Sequence, residues 1–113
     1  MNEDKFIKAF KQGQVNYINS IIAISEINKV LYRLRDQLNT ISKNKLNITY
    51  SHNKLLINNE EICPFTVRAE GYPVEIYMGN HKTYCEDKEA LEDTIIDMLK
   101  DVEINNKICK LMN

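Results

Sequence analysis

The chain has 113 residues, of which 43% are hydrophobic and 27% are charged, and its formal net charge is -1. This composition is typical of a globular domain and argues against collagen-like, low-complexity and disordered classes. The length predicts a single domain over residues 1–113. No run approaches the ~18 consecutive apolar residues that cross a bilayer, and no secretory signal is evident. We therefore expect a cytoplasmic protein that does not contact a membrane.

Three residue types with AT-rich codons dominate the chain, which contains 15 Ile, 14 Asn and 12 Lys. This bias is common in mobile and horizontally acquired bacterial DNA, so it favours a bacterial or phage source. It carries no information about the fold.

A heptad seam of apolar and small residues predicts one long N-terminal helix over residues 3–42. The seam alone would extend for about 54 Å, whereas a compact domain of this size is about 35 Å across. The helix therefore overhangs the domain, breaks near Gly13, or finds a partner. The seam comprises Phe6, Phe10, Gly13, Tyr17, Ser20, Ile24, Ile27, Leu31, Leu34, Leu38 and Ile41.

The two small seam residues lie seven positions apart and would let a second helix approach closely. A plain core helix with a kink and a homodimer formed through the seam are both consistent with this pattern. The positions predicted for self-association are Phe10, Gly13, Tyr17, Ser20 and Ile24.

Residues 46–85 predict an antiparallel meander of four or five strands, because apolar and polar residues alternate between short turn signals. The dipeptides His52-Asn53 and Asn58-Asn59 are predicted turns. Pro64 cannot donate to a strand ladder, so the strand over 62–68 is expected at an edge or after a bulge.

A second helix is predicted over residues 87–111, with Asp87 as its N-cap and Leu91, Ile95, Met98 and Val102 as its buried stripe. Two helices that cover one face of an antiparallel sheet give an α+β fold, in which the C-terminal helix packs beside the first.

Reaction motifs are missing from the sequence. The three glycines are far apart, so neither a Walker loop nor a dinucleotide fingerprint can form, and no cofactor is expected. The cysteines Cys63, Cys85 and Cys109 have neither disulfide nor zinc-ligand spacing, so no metal site is expected. Cys85 follows His81 closely, and this pair is the one candidate for nucleophilic chemistry. We nevertheless expect a protein that is not an enzyme and has no catalytic residues.

The charge distribution is more informative than its sum. Residues 1–54 carry nine basic and four acidic side chains, whereas residues 86–103 carry eight acidic and two basic ones. No nucleic-acid-binding motif accompanies the N-terminal lysines, so nucleic acid is not the expected partner. The C-terminal acidic row surrounds an apolar residue, a pattern that suggests an anchor with a charged rim. The predicted partner-binding residues are Glu89, Glu92, Asp93, Ile96, Asp97 and Asp101.

These features predict a non-catalytic inhibitor that binds another protein. The most concrete hypothesis is a bacterial immunity protein or antitoxin that neutralises a basic toxin, such as a nuclease, through its acidic surface. The alternative is a phage or mobile-element accessory protein that binds and inhibits a host defence complex. A small enzyme that uses Cys85 and His81, and a secretion chaperone that dimerises through its long helix, are further hypotheses.

Overall fold

The computed structural model describes residues 4–51 and 54–112, so the predicted His52-Asn53 turn lies outside the described residues. Its α+β architecture confirms the predicted fold class. The elements are α1 (Lys5–Ile41), β1 (Ile48–Ser51), β2 (Lys54–Ile57), β3 (Phe65–Arg68), β4 (Gly71–Met78), β5 (His81–Cys85), α2 (Lys88–Lys100) and α3 (Val102–Leu111).

Helix α1 runs for 37 residues without interruption at Gly13. It begins where the Asp4 carboxylate accepts a hydrogen bond from the backbone N–H of Phe6 at 2.8 Å. It ends before Lys43 and Asn44, which adopt positive φ angles of 56° and 63°. Of the three alternatives for this helix, the structure therefore shows the overhang.

Only the second half of α1 packs against the rest of the chain. Its buried residues are Ile27, Val30, Leu31 and Leu34, whereas every residue from Lys5 to Asn19 is exposed. The molecule consequently extends for 69 Å along its longest axis. We call Lys5–Ile22 the arm and the remainder of the described chain the body.

The five strands form two antiparallel sheets instead of the single predicted meander. Strands β1 and β2 pair with each other, and β3, β4 and β5 form a second sheet in that order. Asn58 and Asn59 make the predicted turn, with φ angles of 52° and 68°, but pairing stops after the Ile57–Glu60 bridge. The chain leaves the first sheet after this bridge, and Pro64 immediately precedes β3 of the second sheet.

Strand β3 lies at an edge of its sheet, as Pro64 predicted. Strand β4 occupies the centre and contacts both α1 and α2, so the helices cover one layer of the sheet. Two tyrosine hydroxyl groups fasten α1 to the strands. Tyr50 donates to Asn28 at 2.8 Å, and Tyr72 donates to Glu26 at 2.6 Å.

The predicted helix over 87–111 is interrupted at Asp101, which corrects the sequence analysis. Asp101 has extended backbone angles, and its carboxylate accepts from the backbone N–H of Ile104 at 3.0 Å. It is therefore the N-cap of α3, and the chain changes direction there. This break also places Val102 in solvent instead of in the predicted buried stripe.

The core lies between the helices and the strands and contains a cavity of only about 20 Å³. Apolar side chains line it, among them Leu31, Val74, Leu91 and Ile108. A void of this size has space for about one water molecule, and its lining is almost entirely apolar.

Candidate protein-binding surfaces

The outer side of α2 is an exposed acidic face. Leu91, Ile95 and Met98 are buried on the inner side of this helix. Because α-helical residues four apart share a face, Glu89, Asp93 and Asp97 form a row that points to solvent. Within residues 4–51 and 54–112, none of these three carboxylates takes part in an ion pair. The row costs an isolated helix roughly 0.2–0.5 kcal/mol per adjacent pair.

Two other members of the predicted acidic surface have different positions. Glu92 is half-buried beside α1, where its carboxylate lies 3.3 Å from Arg33 and 3.9 Å from Lys88. Asp101 caps α3, so its carboxylate accepts a hydrogen bond from the backbone N–H of Ile104. The acidic face of α2 is therefore smaller than the sequence predicted, with Glu89, Asp93 and Asp97 as its members.

Ile96 lies next to this acidic face and is 45% exposed. It borders a groove of about 170 Å³ between α1 and α2, which Leu99 and the Arg33–Glu92 pair also line. An exposed aliphatic residue in a groove that is flanked by charges matches the arrangement of a buried anchor and a polar rim in protein interfaces.

The arm is the second candidate surface, because it exposes eight large apolar side chains within 18 residues. At about 100° per residue they spread over roughly half of the helix circumference. A soluble monomer rarely leaves so contiguous an apolar surface uncovered. These side chains are Phe6, Ile7, Phe10, Val15, Tyr17, Ile18, Ile21 and Ile22.

Charged residues lie both on the arm and on the part of the body from which it emerges. From Lys5 to Ser25 the chain contains three lysines and no acidic residue. At the base of the arm, a Cβ on Gly71 would lie 2.7 Å from Ala23, which places the β3–β4 turn there. Asp87 acts electrostatically on Tyr72, whose hydroxyl binds Glu26 of α1. Charged residues of both signs therefore lie at this base, since Glu26, Lys29 and Lys88 line a groove there together with Ile21 and Ile22.

A cluster of charged and aromatic side chains covers the sheet face that lies opposite the helices. Glu75 is only 6% exposed, and its carboxylate lies 3.1 Å from the Lys82 ammonium and 3.0 Å from the Arg68 guanidinium. Lys82 also lies over the rings of Tyr77 and Tyr84. The hydrogen bond from Lys82, together with the nearby cations, lowers the pKa of Glu75, although desolvation opposes this effect.

We expect Glu75→Gln to lower the melting temperature at pH 7, because it leaves two cations without their shared carboxylate. A folded-state pKa below the unfolded value stabilises the protein above about pH 4.3, and this contribution disappears as pH falls through the folded pKa. Circular-dichroism melts from pH 3 to pH 7 therefore converge for the two proteins in acid. The exposed Glu60→Gln is the control, and equal melting at pH 7 would contradict the assigned role of Glu75.

The structure does not bring Cys85 and His81 together. They occupy opposite ends of β5, about 13 Å apart at the rise of an extended strand. The thiol of Cys85 is buried and lies 3.4 Å from the Thr94 hydroxyl, and burial raises its pKa. Cys63 is also buried with a raised pKa, whereas Cys109 is exposed. A thiol with a raised pKa is a poorer nucleophile at neutral pH.

Within the described ranges, no three His, Cys, Asp or Glu side chains come together in a way that could hold a metal ion. No helix in that part of the chain has the length and apolar character needed to cross a bilayer. Comparison with protein-family models, curated proteins and solved structures found no match for this chain.

Some of these surface features could be predicted from the sequence and others could not. The spacing of Glu89, Asp93 and Asp97 predicted a shared face. Val15 and Ile22 lie outside the heptad seam, so the seam did not predict that they belong to an exposed apolar surface. Their position in a segment without acidic residues was a signal that could have indicated it. The packing of the β3–β4 turn at the base of the arm had no local signal, because Gly71 meets Ala23 only through the tertiary fold.

Proposed function

We propose that this chain is a non-catalytic, cytoplasmic inhibitor that binds a basic protein through the acidic face of α2. The most specific form of the proposal is a bacterial immunity protein or antitoxin that covers the substrate-binding groove of a toxin, such as a nuclease. The observation that supports it is the row of Glu89, Asp93 and Asp97, which has no ion-pair partner in the described chain and lies beside the exposed Ile96.

Opposite charges accelerate the encounter of two proteins, and a small apolar anchor slows their separation. The α2 row would supply the first effect. Ile96 and the neighbouring groove would supply the second, because burial of an isoleucine side chain contributes about 1.5–3 kcal/mol. A basic active-site groove would be blocked by the same contacts.

Charge reversal on α2 tests this proposal. We expect Asp93→Lys with Asp97→Lys to abolish capture of the partner from the native host and to slow its association by roughly 10-fold or more at low salt. Both side chains are exposed, so the fold is retained. Glu60→Lys with Glu61→Lys changes the net charge equally at a distant site and is the matched control.

The captured protein is then expressed alone and together with this chain. Growth arrest that co-expression relieves supports toxin inhibition. A captured host defence complex instead favours the alternative, in which the chain is a phage or mobile-element accessory protein. Retention of the same partner by the α2 variant would contradict the assigned surface.

A further inference from the structure

We propose that the arm is an antiparallel homodimerisation element, in which the seam of one copy packs against the reversed seam of a second copy. The proposal is independent of the acidic face of α2. It accounts for the exposure of the three aromatic side chains of the seam in the arm, Phe6, Phe10 and Tyr17.

Two antiparallel copies of the arm can be placed with residue 15 of each copy at the same level. The side chains of the two seams are then complementary in size. Phe10 then faces Ser20, Tyr17 faces Gly13, and Phe6 faces Ile24. Each aromatic ring in the middle of the interface meets a small residue, which is the knob-and-hole relation that closely packed helices require. Each pair occurs twice, as a two-fold interface demands.

A parallel dimer in register lacks this complementarity. It would oppose Phe10 to Phe10 and Gly13 to Gly13, so that large side chains collide at one level and a void remains at the next. Only the reversed orientation fills the seam evenly.

The two small seam residues that would receive the aromatic rings, Gly13 and Ser20, have open space beside them or no unmet hydrogen bond. An added Cβ on Gly13 would meet no atom within 4 Å. The Ser20 hydroxyl donates to the Tyr17 carbonyl oxygen at 2.7 Å, so its hydrogen-bonding potential is already met within its own helix. Ser20 can therefore be covered by an apolar partner without leaving an unsatisfied polar group.

The exposed aromatic side chains of the seam supply much of the area that a pair needs. The three aromatic side chains can contribute roughly 400 Å² per copy, about half of the ~800 Å² per partner in a standard interface. Ile21, which is half exposed and lies about 60° around the helix from the middle of the seam, adds to this area.

Charge favours the same orientation. Parallel arms would place six lysines side by side with no acidic residue among them. Reversal places the two lysine groups at opposite ends of the pair and so relieves this repulsion.

The first test is the solution mass of the full chain, measured by light scattering at micromolar concentrations. We expect twice the monomer mass of 13.2 kDa.

Gly13→Leu is expected to give the monomer mass, because it fills the hole that receives Tyr17 while improving the helix propensity of the arm. The double variant Gly13→Tyr with Tyr17→Gly exchanges the large and the small residue and is expected to restore the dimer. Asn19→Leu, which adds the same side chain on the polar side of the arm, is the control that retains it.

Disulfide trapping tests the orientation in a Cys109→Ser background, in which the two remaining native thiols are buried. Phe10→Cys with Ser20→Cys is expected to give a covalent dimer on oxidation. Ser20→Cys alone is expected to give none, because reversed helices separate the two residues by about 15 Å, beyond disulfide reach. Efficient trapping by Ser20→Cys alone would establish a parallel pair and overturn the proposal.

A monomeric mass for the unaltered chain, or a dimer that Gly13→Leu leaves intact, would also overturn it. So would co-sedimentation of the monomer with phosphatidylserine vesicles, which would assign the arm to a membrane. The Asp93→Lys with Asp97→Lys variant keeps the dimer mass if both proposals hold. Failure of the inhibitor proposal is thus distinguishable from failure of this one.

Discussion

Replacing Leu91 with Ala is expected to lower the free energy of unfolding by about 2–5 kcal/mol. Leu91 is fully buried and already borders the small cavity in the core. Removal of its terminal atoms enlarges that void, and the surrounding side chains come from α1, the strands and α3, so they cannot all move inward. Urea denaturation at fixed protein concentration, with an unchanged denaturant slope, measures the loss.

The control is Ile18→Ala in the arm. Ile18 is 56% exposed and lies outside the seam, so this substitution is expected to change the free energy of unfolding by less than about 0.5 kcal/mol. If Leu91→Ala cost no more than Ile18→Ala, the division of the chain into a packed body and an unpacked arm would be wrong.

The same substitution bears on the proposed function. Leu91, Ile95 and Met98 fix the rotation of α2, and this rotation presents Glu89 and Asp93 to solvent. A protein loosened at Leu91 presents the acidic row less uniformly. The buried stripe of α2 and its acidic face therefore depend on each other, since a single helical periodicity produces both.

The heptad seam predicted the length of α1, and its second half supplies three of the four buried residues of this helix, Ile27, Leu31 and Leu34. A straight helix drifts by about 20° per heptad relative to a repeat of 3.5, and four heptads separate Phe6 from Leu34. The two residues therefore lie about 80° apart around the axis. One continuous seam in the sequence thus becomes a buried stripe in the body and a differently directed apolar face in the arm.

Two sequence signals at Asp101 favoured different structures, its preference for an N-cap position and its place in the four-residue spacing of acidic residues. Asp is a preferred N-cap, and Asp87 was assigned as the cap of the preceding helix on that basis. Asp101, however, also continues the four-residue spacing of Asp93 and Asp97. The periodicity favoured one helix, whereas the capping preference of Asp101 prevailed in the fold.

Local sequence patterns could not predict the contacts between residues that are far apart in the chain. The strand pattern predicted the antiparallel pairing, and Pro64 correctly predicted an edge strand. Nothing within a strand indicated that Arg68 and Lys82 would share the carboxylate of Glu75, or that Arg33 of α1 would engage Glu92. Such pairs depend on the register between strands and on the packing of helices that are far apart in sequence.

Gly71→Ala is the second substitution with a large expected effect, a loss of roughly 2–4 kcal/mol in the free energy of unfolding. Gly71 has a φ of +92°, which disfavours any residue with a side chain. Its added Cβ would also lie 2.7 Å from the Cβ of Ala23, where the arm leaves the body. Backbone strain and a steric clash therefore act together at this position.

Gly79→Ala separates these two contributions, because Gly79 has a φ of +63° but open space around it. It is expected to cost only the conformational term, roughly 1–2 kcal/mol. Ala23→Gly combined with Gly71→Ala removes the clash, so the double-mutant cycle is expected to show a favourable coupling of at least about 0.5 kcal/mol. Strictly additive effects would mean that β4 does not press against α1 at the base of the arm. If the arm mediates dimerisation, Gly71→Ala also weakens the dimer, because a shift at Ala23 redirects the helix that carries the seam.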